Sequence, residues 1–333
     1  MIEPPSHRLE AARRIAARLQ AAKSIAVATH VNGDGDGWGS ACALFYHFQP
    51  LGADVRLLAA TPYPDRLRFV LRQGIETLAP DAKGLQALRS ADVQVVVDAS
   101  EPGRLGEFAD AFAPDRTVII DHHAVASSQL EAADVLIDPG AAASAELVYD
   151  VLHQTAAPIS VETARALYVG LVTDTGSFRY SNATPHAHRL AAQLIEAGVD
   201  PQAIYPHLFG TLTAGELGVL EAALARLRRD TELGITWSAL DADVEALEEY
   251  DLVIDHLRNA QGTRVAILFR DIGGSVKISF RSNGVADVAE LARSFGGGGH
   301  RKAAGATVEG PLAEVVEQVL AASRVAVSLS PDT

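Results

Sequence analysis

Short, continuous apolar runs alternate with amphipathic segments over the first part of the chain. Residues 24–29 (SIAVAT) form one such run, whereas residues 7–22 place apolar side chains at helical spacing. Strands of a parallel sheet have this continuous apolar character because helices cover both faces of the sheet. We therefore predict an α/β fold with a mainly parallel sheet flanked by helices. The predicted strands are 24–29, 54–60, 94–97 and 117–120, and the predicted helices are 7–22, 39–48, 142–153 and 161–172.

The pattern changes to strict alternation toward the carboxyl-terminal end. Residues 263–270 and 275–281 alternate apolar and polar positions around a glycine-containing turn at 272–274, which is typical of a β-hairpin. A helix over 285–294, four glycines and a last helix over 312–323 follow. The sequence thus predicts a second, smaller α+β domain.

Helix-start signals separate the two patterns. Thr184 and Asp200 each precede a proline, and Thr213 with Glu216 forms a capping box. The helix that begins there, 214–229, is predicted to connect the two domains. Its apolar face consists of Leu217, Leu220, Leu224 and Leu227. The predicted boundaries are 1–195 for the first domain, 196–230 for a helical linker and 231–326 for the smaller domain.

Charge restricts the kind of partner. The formal net charge is −14, whereas a protein that tracks long nucleic acid needs a basic surface to neutralise phosphates. An anionic substrate must then be attracted locally, and bound metal ions are the natural means.

Nothing in the sequence indicates export or membrane insertion. The single cysteine, Cys42, excludes an intrachain disulfide and fits a reducing compartment. Residues 1–20 carry charges every few positions and lack the apolar core of a signal peptide. No apolar run approaches the roughly 18 residues of a membrane-spanning helix. We expect a cytoplasmic protein without a membrane partner.

Ionisable residues follow three of the predicted strands. Ligands of open parallel sheets bind beyond the carboxyl ends of the strands, so these residues are expected to converge. Each segment alone resembles an ordinary turn, but carboxylates gathered at one edge would repel one another without a cation. The residues are His30, Asp34 and Asp36 after strand 24–29, Asp98 after strand 94–97, and Asp121, His122 and His123 after strand 117–120.

The segment NGDGDG imitates the start of a calcium-binding EF-hand loop. Such a loop needs a Glu at its twelfth position, which is Ala43 here, and it follows a helix rather than a strand. A calcium loop is therefore excluded. Mixed imidazole and carboxylate ligands favour Mn²⁺ or Co²⁺ over Mg²⁺, which prefers oxygen ligands and water. The number of carboxylates predicts two ions rather than one.

The spacing of these residues resembles the motifs of the DHH phosphoesterase superfamily. The four motifs are carried by His30-x-x-x-Asp34-x-Asp36, Asp98, Asp121-His122-His123 and Thr173-Asp174-Thr175-Gly176. Two later segments, Phe280-Arg281-Ser282 and the glycine run ending at His300, resemble the DHHA1 domain. The resemblance covers nearly the whole chain and implies a metal-dependent hydrolase of phosphoesters with a DHH and a DHHA1 domain.

The resemblance also implies roles for single residues. Asp98 would bridge two ions, and a water between them would attack phosphorus in line. His123 is expected to face the reacting phosphate, with a structural role as its alternative, and Asp121 to orient a neighbour. The implied ligands are His30, Asp34 and Asp98 for one ion, and Asp36, Asp98, His122 and Asp174 for the other. The expected substrate-binding residues are Arg281, Ser282, Gly297, Gly298, Gly299, His300 and Arg301.

Two residues depart from the family's usual first motif. Gly33 stands where proline is usual, and Trp38 where a smaller aliphatic residue is usual. Neither is an implied ligand, so the departure concerns the shape of the loop.

Within the family, the two-domain layout resembles bifunctional oligoribonucleases that also remove the 3′-phosphate of adenosine 3′,5′-bisphosphate. We expect a Mn²⁺-dependent enzyme, with Co²⁺ or Mg²⁺ as alternative ions, that cleaves oligonucleotides of about two to four residues. Long nucleic acid is not an expected partner. The sequence leaves open whether the chain forms a homodimer. One alternative is a phosphodiesterase of linear or cyclic di-adenylate. An alternative of another class is a non-catalytic nucleotide sensor on the same scaffold.

Overall fold

The computed structural model describes residues 2–124, 129–210, 212–244, 250–284 and 286–329. Two compact units, residues 1–211 and 212–333, divide the chain. Within the described residues, no single helix has the length and apolar character needed to cross a membrane. A bent pair of helices, Pro201–Gly210 with Ala214–Ala225, meets those criteria by length and composition alone.

The first unit is built on a six-stranded parallel sheet. Its strands are β1 (Ser24–Ala28), β2 (Asp54–Leu58), β3 (Thr77–Leu78), β4 (Val93–Val97), β5 (Thr117–Asp121) and β6 (Asp134–Ile137). Their order is β3-β2-β1-β4-β5-β6, and every neighbouring pair is parallel. The connections diverge between β1 and β4, which opens a crevice beyond the carboxyl ends of these two strands. The predicted α/β fold is confirmed, and the edge strands β3 and β6 are additions to it.

Helices flank this sheet. They are α1 (Ser6–Ala21), α2 (Gly35–Phe48), α3 (Ala82–Ser90), α4 (Ser144–His153), α5 (Val161–Asp174), α6 (Pro185–Glu196) and α7 (Pro201–Tyr205). α2 begins before the predicted residue 39 because the Asp34 side chain caps it, accepting hydrogen bonds from the N–H groups of Asp36 (3.0 Å) and Gly37 (3.1 Å). The acidic loop of the first motif is therefore the first turn of a helix.

Glycines allow α2 and α5 to cross at close range. A β-carbon on Gly39 would lie 2.5 Å from the carbonyl oxygen of Ala166, and one on Gly170 would lie 2.8 Å from Asp36 Oδ1. Side chains at these positions would push the helices apart, because the interior is already closely packed. The close approach brings the start of α2 toward the end of α5, where Asp174 lies.

A buried ion-pair cluster fastens α1 to α4. The Arg8 guanidinium lies 2.5 Å from Asp138 Oδ2, 2.5 Å from Glu146 Oε1 and 3.3 Å from Asp150 Oδ2. Burial, opposed by the charge of Arg8, raises the pKa of Asp150 to about 7. Because Glu146 belongs to the first turn of α4, this cluster helps to fix the position of that turn.

The second unit has a six-stranded mixed sheet. Its strands are β7 (Arg228–Asp230), β8 (Ile235–Leu240), β9 (Val265–Asp271), β10 (Ser275–Ser282), β11 (Gly298–His300) and β12 (Ala303–Glu309), and its helices are α8 (Ala214–Ala225), α9 (Asp251–Arg258), α10 (Val288–Arg293) and α11 (Leu312–Ser328). The order is β11-β12-β10-β9-β8-β7, with β8 and β9 parallel and the other pairs antiparallel. The predicted hairpin is confirmed as β9 and β10.

The predicted connecting helix is wrong in its extent and in its buried face. α8 ends at Ala225, and the next residues form β7, which pairs with β8. The buried side chains of α8 are Val219 and Ala223, whereas Leu217 and Leu224 are exposed. Pairing with a strand and packing on the second sheet outweigh the helical leucine spacing.

Two other predicted helices differ at their ends. α10 starts at Val288 because Asp287 caps it with hydrogen bonds from Ala289 and Glu290 N–H, and residue 285 of the predicted helix lies outside the described residues. α11 continues beyond the predicted residue 323 to Ser328.

Candidate metal centre

Four segments of the first unit bring acidic and histidine side chains to one place. His30 follows β1, Asp98 follows β4, His122 follows β5, and Asp174 ends α5. The carboxyl ends of β1, β4 and β5 share one edge of the parallel sheet, which is why residues distant in sequence converge. All six predicted ligands fall into groups whose ligand atoms lie within 4.8 Å of one another.

The first group consists of His30, Asp34 and Asp98. His30 Nε2 lies 3.2 Å from Asp98 Oδ2 and 3.8 Å from Asp34 Oδ1. The other ring nitrogen, Nδ1, lies 2.8 Å from the carbonyl oxygen of Val31, which orients the ring. This is the set that the resemblance implies for one metal ion.

The second group consists of Asp36, His122 and Asp174. His122 Nε2 lies 3.3 Å from Asp174 Oδ2, 3.7 Å from Asp98 Oδ1 and 3.9 Å from Asp36 Oδ2. Asp36 is fully buried, and its two oxygens accept hydrogen bonds from Ser144 N (2.6 Å) and Ala145 N (2.9 Å). A carboxylate on α2 therefore caps α4, which has no capping side chain of its own.

Asp98 stands between the two groups. Its Oδ2 faces His30, and its Oδ1 lies on the side of His122. The backbone of Asp98 is left-handed, with φ of +61°, and its N–H donates to the carbonyl of Ile120 at 3.0 Å. A left-handed residue other than glycine is uncommon, and here the conformation directs the carboxylate between both groups.

His123 is held by Asp121. Asp121 Oδ1 accepts hydrogen bonds from His123 N (3.1 Å) and Nδ1 (2.8 Å), and Nδ1 also lies 3.6 Å from Asp98 Oδ1. The hydrogen bond to Asp121 raises the pKa of His123, although burial opposes it. Asp98, His122 and His123 form a third group with metal-ligand spacing, so the positions are compatible with a ligand role as well as with the predicted contact to phosphate.

The electrostatics of the centre call for a cation. Burial raises the pKa of Asp174 to about 7, and the charges of Asp98 and Asp34 add to the effect. Burial also raises the pKa of Asp36, assisted by Asp98 and Asp174. Burial opposes a charge on His30, but the carboxylates of Asp34 and Asp98 outweigh it and raise its pKa to about 10. In effect, protons take the place that a cation would occupy among crowded carboxylates.

The donor set fits a pair of divalent metal ions. His30 Nε2 is buried and makes no hydrogen bond to any described residue, although it points into the cluster. A buried nitrogen that has a carboxylate at 3.2 Å but no directed hydrogen bond is costly unless a metal ion or another partner uses it. Mixed imidazole and carboxylate donors match Mn²⁺ or Co²⁺ better than calcium.

The predicted substrate-binding residues lie in the second unit. Arg281 is on β10, paired in register with Ala303, which also pairs with His300. Arg301 is in the turn between β11 and β12. Ser282 is buried, and its hydroxyl donates to the carbonyl of Gly284 at 3.4 Å, so it is not exposed to a ligand. The side chain of His300 lies outside the described part of the chain.

The second half of the glycine run belongs to the edge strand β11, whereas Gly296 lies in the turn that follows α10. A β-carbon on Gly297 would lie 2.1 Å from the carbonyl oxygen of Gly305, and one on Gly299 would lie 2.6 Å from that of Ala303. Gly298, between them, has open space around its α-carbon. Close pairing with β12 therefore accounts for two of the glycines without any ligand.

Sequence reasoning missed two residues that organise the centre. The Ser144 hydroxyl lies 3.0 Å from Asp98 Oδ1, and Asn182 Nδ2 donates to the carbonyls of Ala142 (2.9 Å) and Asp174 (3.1 Å). Neither follows a strand of the sheet, and serine and asparagine are common in loops. Only the sequence position of Ser144 at the start of a helix could have singled it out.

Family comparisons agree with this geometry. The DHH family N-terminal domain matches residues 24–171, and the DHHA1 domain matches residues 239–328. A bifunctional oligoribonuclease and PAP phosphatase NrnA from Thermus thermophilus is 31% identical over 95% of this chain and 94% of its own length. The chain belongs to the DHH family. It is a hydrolase that acts on phosphoester bonds.

Other DHH relatives and solved structures agree in fold. The Bacillus subtilis bifunctional oligoribonuclease and PAP phosphatase NrnA is 25% identical and covers 84% of this chain and 87% of its own length. An exopolyphosphatase-related protein from Bacteroides fragilis superimposes with a TM-score of 0.88, at 23% identity, covering 96% of this chain and 98% of that chain. RecJ from Thermus thermophilus in complex with Mn²⁺ gives a TM-score of 0.59 at 19% identity, covering 99% of this chain and 57% of that chain.

The two departures of this DHH chain from the usual first motif are coupled in space. A β-carbon on Gly33 would lie 2.7 Å from Trp38 Nε1 and 2.9 Å from Thr29 Cγ2. Trp38 is buried and packs against Tyr63, with ring centroids 4.6 Å apart. The indole thus occupies the space that a side chain at position 33 would need, so glycine at 33 and tryptophan at 38 belong together.

We expect Gly33→Ala to destabilise the protein by about 1–3 kcal/mol, because the new methyl group overpacks the indole. The same substitution should cost less in a Trp38→Leu background, although Trp38→Leu has a cavity cost of its own. Urea unfolding of the wild type, both single variants and the double variant measures this coupling. Equal costs of Gly33→Ala in both backgrounds would show that the two positions are independent.

Proposed function

We propose that this DHH chain is a Mn²⁺-dependent phosphodiesterase that hydrolyses oligonucleotides of about two to four residues to mononucleotides, and that it also dephosphorylates 3′-phosphoadenosine 5′-phosphate. One observation carries the proposal. Asp98 belongs to the group of His30 and Asp34 and lies 3.7 Å from His122 of the second group, in the first unit of a chain whose relatives are bifunctional oligoribonucleases and PAP phosphatases.

The first unit would hold the metal ions. His30, Asp34 and Asp98 have the donor chemistry for one ion, and Asp36, His122 and Asp174 with Asp98 have it for the other. When bound, such ions acidify water and neutralise charge on phosphoryl oxygens. We assign chemistry to residues 1–195 and substrate binding to residues 231–326, and the predicted linker 196–230 divides between the first unit and the second.

Other residues of the chain would position the substrate. Asp121 fixes the ring of His123 through Nδ1, and the opposite ring nitrogen, Nε2, is the atom we assign to the reacting phosphate. In the second unit, the guanidinium of Arg281 can bind a phosphate with two parallel hydrogen bonds. Arg301 and Lys302, in the following turn, add positive charge. His123 thus serves the reacting end, and the basic residues serve another part of the substrate.

The proposal predicts a strong dependence on substrate length. The chain is acidic, with a net charge of −14, so phosphates beyond the bound ones meet repulsion rather than attraction. We expect kcat/KM to fall by at least about tenfold between substrates of two to four nucleotides and those beyond about ten. Turnover should require Mn²⁺ and should be absent in metal-stripped protein.

The test is one panel of substrates measured under identical conditions. Metal-stripped protein, with and without added Mn²⁺, is incubated with 5′-labelled RNAs of increasing length, pApA, cyclic di-adenylate, 3′-phosphoadenosine 5′-phosphate and pyrophosphate. Equal efficiency on a dinucleotide and a long RNA would refute the length proposal and favour a single-strand exonuclease. Preference for pApA or cyclic di-adenylate over RNA would favour the alternative di-adenylate phosphodiesterase. Binding of Mn²⁺ and nucleotide without turnover would favour a sensor.

A further inference from the structure

Ser144 touches three of the residues that form the two metal-ligand groups. Its hydroxyl lies 3.0 Å from Asp98 Oδ1, and the same oxygen accepts a hydrogen bond from the backbone N–H of His122 at 3.3 Å. Its own N–H donates to Asp36 Oδ2 at 2.6 Å. Ser144 is completely buried, so these contacts are not exchanged for contacts with solvent.

The direction of the hydrogen bonds distinguishes the two oxygens of Asp98. Because the hydroxyl accepts from His122 N–H, its proton is available to Asp98 Oδ1. Oδ2 is left on the side of His30, 3.2 Å from Nε2. A carboxylate that could rotate freely would exchange its two oxygens, and the hydrogen bond from the serine hydroxyl to Oδ1 opposes that exchange.

Ser144 is itself firmly placed. It is the first residue of α4, whose N-terminus is capped by Asp36, and Glu146 in the same turn is paired with Arg8. Glu146 also accepts a hydrogen bond from Ala142 N at 3.1 Å. The hydroxyl is therefore presented from a rigid turn, which is what a group that orients a ligand requires.

We propose that Ser144 is a positioning residue that fixes the orientation of Asp98, so that Oδ1 faces the group of Asp36, His122 and Asp174 and Oδ2 faces the group of His30 and Asp34. The inference rests on the metal centre of the proposed function. If Ser144 has this role, the site of Asp36, His122 and Asp174 depends on the serine hydroxyl for its metal affinity. The site of His30 and Asp34 depends on it less.

The test is Ser144→Ala, which removes the hydroxyl and retains the backbone N–H that donates to Asp36. We expect the Kd for Mn²⁺ at the site of Asp36, His122 and Asp174 to rise by about tenfold or more. The Kd for Mn²⁺ at the site of His30 and Asp34 should change less. Calorimetric titration of metal-stripped protein with MnCl₂ measures both steps, and His30→Ala identifies which step belongs to which group. Electron paramagnetic resonance of the loaded protein should show altered coupling between the two Mn²⁺ ions.

Two further variants complete the experiment. Ser323→Ala removes a buried serine hydroxyl from α11 in the second unit and should leave both binding steps unchanged. Ser144→Cys keeps a side chain of similar shape, although sulfur is larger than oxygen, and the thiol donates weakly. It should therefore fall between wild type and Ser144→Ala, and it replaces Ser144→Ala if that variant does not fold. Unchanged Mn²⁺ binding and coupling in the folded variant would overturn the inference. Failure of the wild type to bind two ions would instead overturn the proposed function.

Discussion

Replacing Asp98 with asparagine is expected to lower kcat/KM by at least about a thousandfold, because the charged group that lies between both metal-ligand groups is lost. Asparagine tolerates the left-handed backbone that Asp98 adopts, so the substitution removes the charge and leaves the loop conformation intact. Asp98 Oδ2 lies 3.2 Å from His30 Nε2, and Oδ1 lies 3.7 Å from His122 Nε2. Among the described residues, no other predicted ligand has a carboxylate oxygen within 4.0 Å of both His30 and His122.

The measurement combines kinetics with metal analysis. Wild type and Asp98→Asn are compared for turnover of pApA and for the number of Mn²⁺ ions bound after dialysis, and the variant should lose affinity for both ions. Asp54→Asn, which removes an exposed carboxylate at the start of β2, serves as the matched control and should behave as wild type. A variant that still binds two ions with wild-type affinity would disprove the bridging role of Asp98.

Replacing His123 with alanine is expected to lower kcat by about a hundredfold to ten-thousandfold while both metal ions remain bound. The Asp121 carboxylate holds His123 through Nδ1 at 2.8 Å, which places the ring beside the ligands without using it to complete either predicted set. KM should change much less than kcat if the imidazole acts mainly in the transition state.

Two variants in the second unit serve as comparisons for His123→Ala, one as a control and one as a substrate-binding variant. His256→Ala removes an exposed histidine of α9 and should leave kcat and KM unchanged. Arg281→Ala should act mainly on KM for short substrates, because Arg281 is assigned to binding rather than to chemistry. Loss of one ion from His123→Ala would mean that His123 is a metal ligand, as its place in a group with Asp98 and His122 also permits.

Much of the fold could be predicted from local patterns. The continuous apolar runs led to β1, β2, β4 and β5. The prolines led to the starts of α6 and α7, and the capping box led to the start of α8. These elements were predictable because their signals are local: burial on both faces of a strand and satisfaction of the first N–H groups of a helix. The edge strands β3 and β6 are too short to carry such a signal.

The predictions from sequence were wrong where tertiary contacts outweigh the local helical preference. The leucine spacing of α8 predicted the wrong buried face, because Val219 and Ala223 pack on the second sheet instead. The residues after Ala225 pair with β8 and leave the helix. Helical periodicity describes which residues share a face, but the neighbouring elements decide which face is covered.

The sequence by itself determined the strand ends that carry the acidic and histidine residues, and with them the family and the six expected ligands. The distances between those residues were decided only by the tertiary structure. Divergence of the chain between β1 and β4 opens the crevice, and the crossing of α2 and α5 at Gly39 and Gly170 brings Asp36 toward Asp174. The contact of Ser144 with Asp98 likewise joins residues far apart in sequence. Such contacts have no local signal, because packing of whole elements creates them.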